Sequence, residues 1–222
     1  MLFSEKTKLN KIMPKAKFIK LAELSTAVRN EFNNNVDRLR LANILRQDTI
    51  NIPKGKTVVE INVFEFQIKE KTVSDNLIKE IDSAIPNHII FLFVCNNMAQ
   101  IVISYKEKLT TSNKNKVIKT YRSEWTNIDK LSLDVNGLDL DAVYNNFITQ
   151  ISAGKIETNE EISIKDAVEK SVEIEKLQRK IEQLKNKIKR EPQFNKQLEM
   201  KKDLKILENN LECLYGKDEI WN

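Results

Sequence analysis

The chain has 222 residues, 41% of them hydrophobic, so it can bury one good core and carry an appendage. Its net charge of +5 is mildly basic, and four glycines and four prolines are too few for a loop-rich or all-β protein. A single histidine and two distant cysteines argue against histidine triads and multi-histidine zinc sites, and they favour a reduced, cytoplasmic protein without a metal.

The first twenty residues form a basic segment, predicted as an arm that packs partly on the body of the protein. Its lysines could contact the phosphates of a nucleic acid, although a solvated terminus is the simpler interpretation. The nucleic-acid-binding candidates are Lys8, Lys11, Lys15 and Lys17.

Residues 21–46 are predicted as one amphipathic helix, because apolar residues recur at spacings of three, four or five. These residues are Leu21, Leu24, Val28, Phe32, Val36, Leu39 and Ile44. Pro53 and Gly55 then separate the helix from the next element.

The stretch from Thr57 to Lys69 is the most strand-like run, rich in valine, isoleucine and phenylalanine. Its apolar alternation changes phase near Val63. Because side chains alternate along a strand, either both faces are covered or a bulge near Val63 resets the register. Both alternatives place this strand in the middle of a core.

The rest of the body alternates helix and strand signals. An apolar run at residues 89–95 has the length of a buried strand and is far too short to span a membrane. We predict a Ser74-capped helix over 75–84, strands over 89–95, 100–105, 117–125 and 131–135, and an Asp139-capped helix. Residues 1–154 therefore predict an α+β body, with a mixed or antiparallel sheet of four or five strands and flanking helices.

Two heptad-like seams follow a polar linker predicted at 155–163. They are Ile174, Leu177, Ile181, Leu184 and Ile188, then Leu204, Leu207, Leu211 and Leu214. Pro192 interrupts the helix between them, so we predict an antiparallel helical hairpin over 164–216, followed by a tail at 217–222. The alternative is a kinked long helix that dimerises in parallel. Each seam has few apolar residues per turn, so the hairpin alone would be weakly stabilised. We therefore expect the seam to bind a second copy or a partner protein through Leu177, Leu184, Leu207 and Leu211.

One pattern suggests metal-dependent nuclease chemistry. Restriction-type nucleases place an acid on one strand, and an acid or glutamine two residues before a lysine on the next, to hold Mg²⁺ and stabilise developing charge. Gln67 and Lys69 have this spacing, with Glu65 on the same face, and Asp48 is the candidate for the upstream acid. Polar residues at the end of a half-exposed strand are the simpler interpretation, so no catalytic residue and no cofactor is predicted.

Several stretches resemble the bacterial domain of unknown function 4391 family. They are KLNKIMPKAKF at 8–18, EINVFEFQIK at 60–69, IDSAIP at 81–86, ISYKE at 103–107, and Tyr121 with Glu124 and Trp125. The resemblance implies no established reaction. It implies a context, because members are often encoded beside DNA methyltransferases and helicase-nucleases of restriction-like or phage-defence loci.

Three functions remain open on this basis. The first is a non-catalytic adaptor that binds a larger subunit of a defence complex, with contact to DNA left open. The second is a nuclease that uses the central strand, and the third is a regulatory or toxin-like binding module.

Overall fold

The computed structural model describes residues 2–109, 115–152 and 163–215, and the chain divides into a body, 1–155, and a second unit, 156–222. In these ranges no helix is both long and apolar enough to cross a membrane. The strands are β1 (Lys8–Ile12), β2 (Val36–Leu45), β3 (Ile61–Ile68), β4 (His88–Cys95), β5 (Met98–Lys108), β6 (Asn115–Arg122) and β7 (Thr126–Asn127). The helices are α1 (Lys15–Leu21), α2 (Thr26–Asn35), α3 (Gln47–Ile50), α4 (Asp75–Ala84), α5 (Leu140–Ser152), α6 (Ile164–Arg190) and α7 (Phe194–Leu214).

The body is built on one mixed sheet with the strand order β1-β2-β3-β4-β5-β6, and β7 pairs with β5. Strands β3 and β4 are parallel and are connected through α4, whereas the other neighbours are antiparallel. The α+β class and the mixed sheet are confirmed. The predicted number of four or five strands is wrong, since the described sheet has seven.

Strand β3 lies inside the sheet, as predicted, and residues 61–66 are all buried. Phe64, Phe66 and Ile68 belong to a core formed with α1, α2 and α4, and Ile61 and Val63 are buried on the opposite face. Both faces are therefore covered. The irregularity lies in the neighbouring strand, where the register of β2 shifts between Leu41 and Asn43.

The single helix predicted over residues 21–46 is wrong. Helix α2 ends at Asn35 and the chain continues as β2, with Val36, Leu39, Ala42 and Leu45 buried. Two register shifts each insert a residue into β2, between Val36 and Arg38 and between Leu41 and Asn43. Each inserted residue stretches the apolar spacing from two towards three, which imitates a helix.

The N-terminal segment is part of the body and not a free arm. Strand β1 pairs with β2, and α1 buries Phe18 completely. The Phe18 ring lies 5.8 Å from Phe32, 5.5 Å from Phe64 and 6.0 Å from Phe66. This aromatic cluster fixes α1 and α2 on the sheet.

Helix α4 has the predicted bounds, and the Ser74 hydroxyl accepts the backbone N–H of Leu77 at 3.1 Å. The predicted strand at 131–135 is wrong. There the backbone N–H of Asp134 donates to Gln150 Oε1, and Gln150 Nε2 donates to the backbone oxygen of Asp134, at 2.9 Å each. The backbone groups of Asp134 therefore bond a side chain of α5 and not another strand.

Asp141 of α5 holds the segment that leads into β3. Its carboxylate accepts the backbone N–H groups of Lys56, Thr57 and Val58 at 2.7–3.1 Å. Gly55 makes this approach possible, because a Cβ there would lie 2.3 Å from the Asp141 Cγ. These donors bind an internal carboxylate, which fixes where the central strand begins.

In the second unit, α6 and α7 form an antiparallel pair. Lys185 contacts Glu208 at 2.7 Å, and Gln178 donates to the Tyr215 hydroxyl at 3.0 Å. The helices are interrupted at residues 191–193, around the predicted break at Pro192. The predicted linker at 155–163, except Ser163, and the tail at 217–222 lie outside the described residues.

Candidate functional site: polar groups on the central strand

Glu65 is a buried carboxylate on β3, and both of its oxygens are bonded. Oε2 accepts from Arg40 Nη2 at 2.6 Å, and Oε1 accepts from Gln67 Nε2 at 2.7 Å. Arg40 is its direct partner across β2 and β3. A short charge-assisted bond from a guanidinium holds this carboxylate in one orientation. Glu65 thus acts in the structure as an internal ion-pair partner.

Lys69 follows the last residue of β3 and pairs with an acid that the sequence analysis did not nominate. Its Nζ lies 3.6 Å from Oδ1 of Asp37, and both side chains are more than half exposed. Asp37 is the second residue of β2, at the shift between Val36 and Arg38. The sequence did not indicate Asp37 because the stretch around it has the apolar spacing of a helix. In the strand that this stretch forms, Asp37 lies beside the end of β3.

The structure separates Asp48 from the other candidates for nuclease chemistry. Leu45 pairs with Ile61, and Arg40 pairs with Glu65. Ile61 and Glu65 are four residues apart on β3, so the Leu45 end of β2 lies about 13 Å from Glu65 along the strands. Asp48 follows the Leu45 end and pairs with Arg46 at 2.7 Å. Glu65 and Gln67 therefore lie on β3 with Lys69 directly after it, and the acid that contacts Lys69 is Asp37 rather than Asp48.

In the part of the chain that the structure describes, no group of three His, Cys, Asp or Glu side chains is arranged to hold a metal ion. At the end of β3, Asp37 offers a carboxylate and Gln67 offers an amide oxygen. Mg²⁺ is commonly held by one or two carboxylates together with substrate phosphates. Asp37 and Gln67 would be part of such a ligand set, for an ion that a substrate phosphate also binds.

The four lysines proposed for nucleic-acid binding have different surroundings. Lys15 donates to the backbone oxygens of Asn33, at 3.1 Å, and Val36, at 2.6 Å. Lys8 pairs with Glu5 at 3.3 Å, whereas Lys11 and Lys17 are exposed. Lys15 therefore has a structural role, because it caps the end of α2 and links it to β2, whereas Lys8, Lys11 and Lys17 are exposed.

The four leucines proposed for partner binding lie on the seam of the helical pair. Leu177, Leu184, Leu207 and Leu211 are all half-buried, at the spacing expected of two helices in contact. Ile181, between the first two, is buried. Their partial burial and spacing fit packing between α6 and α7, and their binding of a separate partner stays a prediction.

A buried ion pair, missed in the sequence, fixes α4 on the sheet. Lys106 Nζ contacts Asp82 Oδ1 at 2.6 Å and also donates to the backbone oxygens of Asp82, Ile85 and Asn87. Both side chains are almost fully buried. Burial raises the pKa of Asp82, although Lys106 and the Ser104 hydroxyl oppose the rise. The pair clamps the end of α4 where the chain turns into β4.

His88, the only histidine, is buried beside this pair at the start of β4. Its ring lies 4.6 Å from that of Tyr144, edge to face, and the Tyr144 hydroxyl donates to the backbone oxygens of Ile89 and Ser104. Burial, aided by the positive charge of Lys106, lowers the pKa of His88 to about 3. This histidine is neutral in the folded protein.

His88 therefore makes stability depend on pH. Above pH 6.5 it is neutral in both the folded and the unfolded chain. Below 6.5 only the unfolded chain gains the proton, so stability falls by about 1.4 kcal/mol per pH unit until the folded pKa near 3 is reached. We expect urea unfolding to show a loss of about 2 kcal/mol between pH 6.5 and 5 that the variant His88→Gln lacks. Equal losses in both proteins would contradict this assignment.

Trp125 lines an open groove of about 750 Å³ at the end of β3. Lys71 Nζ lies 5.5 Å from the centre of its ring. Other polar groups of the groove are paired internally: Glu31 accepts from Ser74, and Arg122 donates to Asp75 at 2.7 Å. Internal pairs therefore compensate several charges of the groove, and Trp125 packs against the core.

Comparisons with known proteins place the chain in one family. The model for a domain of unknown function, DUF4391, matches residues 3–211. Neither the curated proteins nor the solved structures contain a match.

Proposed function

Because the chain belongs to the DUF4391 family, whose description names no activity, we propose its function from the geometry. We propose that it is a non-catalytic accessory subunit of a bacterial restriction-like or antiphage defence complex. In this proposal the body binds a larger helicase, nuclease or methyltransferase. The supporting observation is the open edge of β1.

Strand β1 ends the sheet order, so only one of its edges pairs with a strand, β2, in the described residues. All five of its side chains are exposed, including Leu9 at 47% and Ile12 at 65%. An open edge with exposed apolar side chains is a template for a strand from another chain. Lys8 and Lys11 on the same strand oppose pairing between copies and favour an acidic partner strand.

The adaptor proposal is tested by co-purification with the products of the adjacent genes. We expect a stable complex with one of them, weakened at least about tenfold by Ile12→Lys, because the substitution adds charge to an apolar contact. The control is Val59→Lys, which changes a comparably exposed apolar residue outside every strand. The proposal fails if the parent forms no complex, or if both variants weaken it equally.

A metal-dependent nuclease is the second candidate, and the position of Asp37 favours it. The arrangement puts an acid at the start of one strand beside a Gln-x-Lys sequence at the end of its antiparallel neighbour. Asp37 and Gln67 would hold a divalent ion, which would polarise a phosphodiester, and Lys69 would stabilise the negative charge that develops. Lys69 would be released from Asp37 if a cation bound that carboxylate.

Cleavage of DNA by the isolated protein separates the two candidates. The adaptor proposal expects no cleavage of single- or double-stranded DNA with Mg²⁺ or Mn²⁺. Cleavage that disappears in Asp37→Ala and Lys69→Ala, but persists in Asp48→Ala, would establish the nuclease. Asp37 and Lys69 are better targets than Glu65, because both are exposed, whereas removing the buried Glu65 carboxylate would leave Arg40 without its ion-pair partner.

A further inference from the structure

The helical hairpin carries its positive charge at one end. Residues 185–205, here called the tip, contain eight lysines and arginines against three acids. The rest of the described hairpin, 163–184 and 206–215, contains five basic residues against seven acids. A merely solvated surface has no reason to concentrate the charge of one sign where the two helices meet.

Helix stability explains only part of this concentration. In α6, Lys187, Lys189 and Arg190 occupy the last turn, where they favourably meet the negative end of the helix dipole. Helix α7 does the reverse. It has no acid in its first turn and no side-chain cap, and Lys196 lies in that turn, at the positive end of the helix. The placement of Lys196 opposes the dipole, and Lys201 and Lys202 lie beyond the first turn, so the helix dipole explains none of these three lysines.

The tip also exposes an aromatic ring among these lysines. Phe194 is 72% exposed and Leu198 is 47% exposed. The contacts Lys185–Glu208 and Gln178–Tyr215 have the same midpoint in sequence, between residues 196 and 197. By this register the last residue of α6, Arg190, lies level with residue 203 of α7, so the start of α7 extends beyond the end of α6. Phe194 therefore projects from the end of the hairpin.

We propose that the tip binds single-stranded nucleic acid, a role separate from partner docking at β1. Lysines neutralise backbone phosphates, and Phe194 stacks on a base. An acidic protein is the competing occupant. The cores of protein interfaces, however, are depleted of lysine, whereas here Lys201 and Lys202 lie on the same face of α7 as the exposed Phe194 and Leu198.

The test uses the full chain and a fluorescent 20-nucleotide single strand, with binding followed by anisotropy from 50 to 200 mM salt. We expect the triple variant Lys196→Gln, Lys201→Gln, Lys202→Gln to lower the slope of log affinity against log salt by about two. The variant Phe194→Ala should weaken the single strand about fivefold or more while leaving a duplex of equal length less affected. Circular dichroism checks that each variant keeps its helices.

A matched triple variant, Lys170→Gln, Lys176→Gln, Lys180→Gln, removes the same charge from α6 outside the tip. It should keep the parent slope. The proposal is overturned if this control lowers the salt slope as much as the tip variant, or if Phe194→Ala leaves the affinity for the single strand unchanged. It is also overturned if the parent binds no oligonucleotide at 50 mM salt. Binding of poly-L-glutamate without binding of the oligonucleotide would overturn it in favour of an acidic protein partner.

Discussion

Replacing Lys106 with methionine is expected to lower the free energy of unfolding by about 3–5 kcal/mol. The substitution preserves the length of the side chain but leaves the Asp82 carboxyl buried without its cation. It also leaves the backbone oxygens of Ile85 and Asn87 without this donor. Urea unfolding at pH 7 measures the change.

Two further variants show whether the cost comes from the broken pair. Lys116→Met removes an exposed lysine from β6 and should change stability by less than about 0.5 kcal/mol. Adding Asp82→Leu to Lys106→Met removes both charges and should recover part of the loss, because a buried ion pair contributes little relative to apolar residues. A loss below about 1 kcal/mol for Lys106→Met alone would show that the site is hydrated.

Elements with uninterrupted periodicity were predictable from the sequence. Helix α4 carries a cap at Ser74 and a clear apolar face, and β4 is an apolar run of strand length. Strand β2 was not predictable in the same way, because its bulges depend on pairing with β3, which no local pattern contains. The misassigned strand at 131–135 has a related cause, since its backbone bonds a distant side chain, Gln150.

The candidate site was predicted in part for the same reason. Glu65, Gln67 and Lys69 share a face because a strand alternates, which the sequence shows directly. Their partners come from β2, so Asp37 and Arg40 could be found only once β2 was known to be a strand. Asp82 and Lys106 lie 24 residues apart on a helix and a strand, and each resembles an ordinary surface charge. Long-range polar pairs of this kind have no sequence signature.

The hairpin seam yields a graded prediction, since Ile181 is buried and Leu184 is half-buried. Ile181→Asp should destabilise the α6–α7 pair by about 3 kcal/mol or more, because a carboxylate enters the apolar seam. Leu184→Asp should cost less, because its carboxylate can reach water. Thermal unfolding followed by circular dichroism at 222 nm measures both.

Lys180→Asp provides the control, because it puts the same side chain on an exposed position next to Ile181. It should change the melting temperature little. If Ile181→Asp melts like this control, α6 and α7 do not share the seam, and the leucines along it would be free for another chain. If Leu184→Asp costs as much as Ile181→Asp, residue 184 is more deeply covered in solution, as a second copy or a partner on the seam would require.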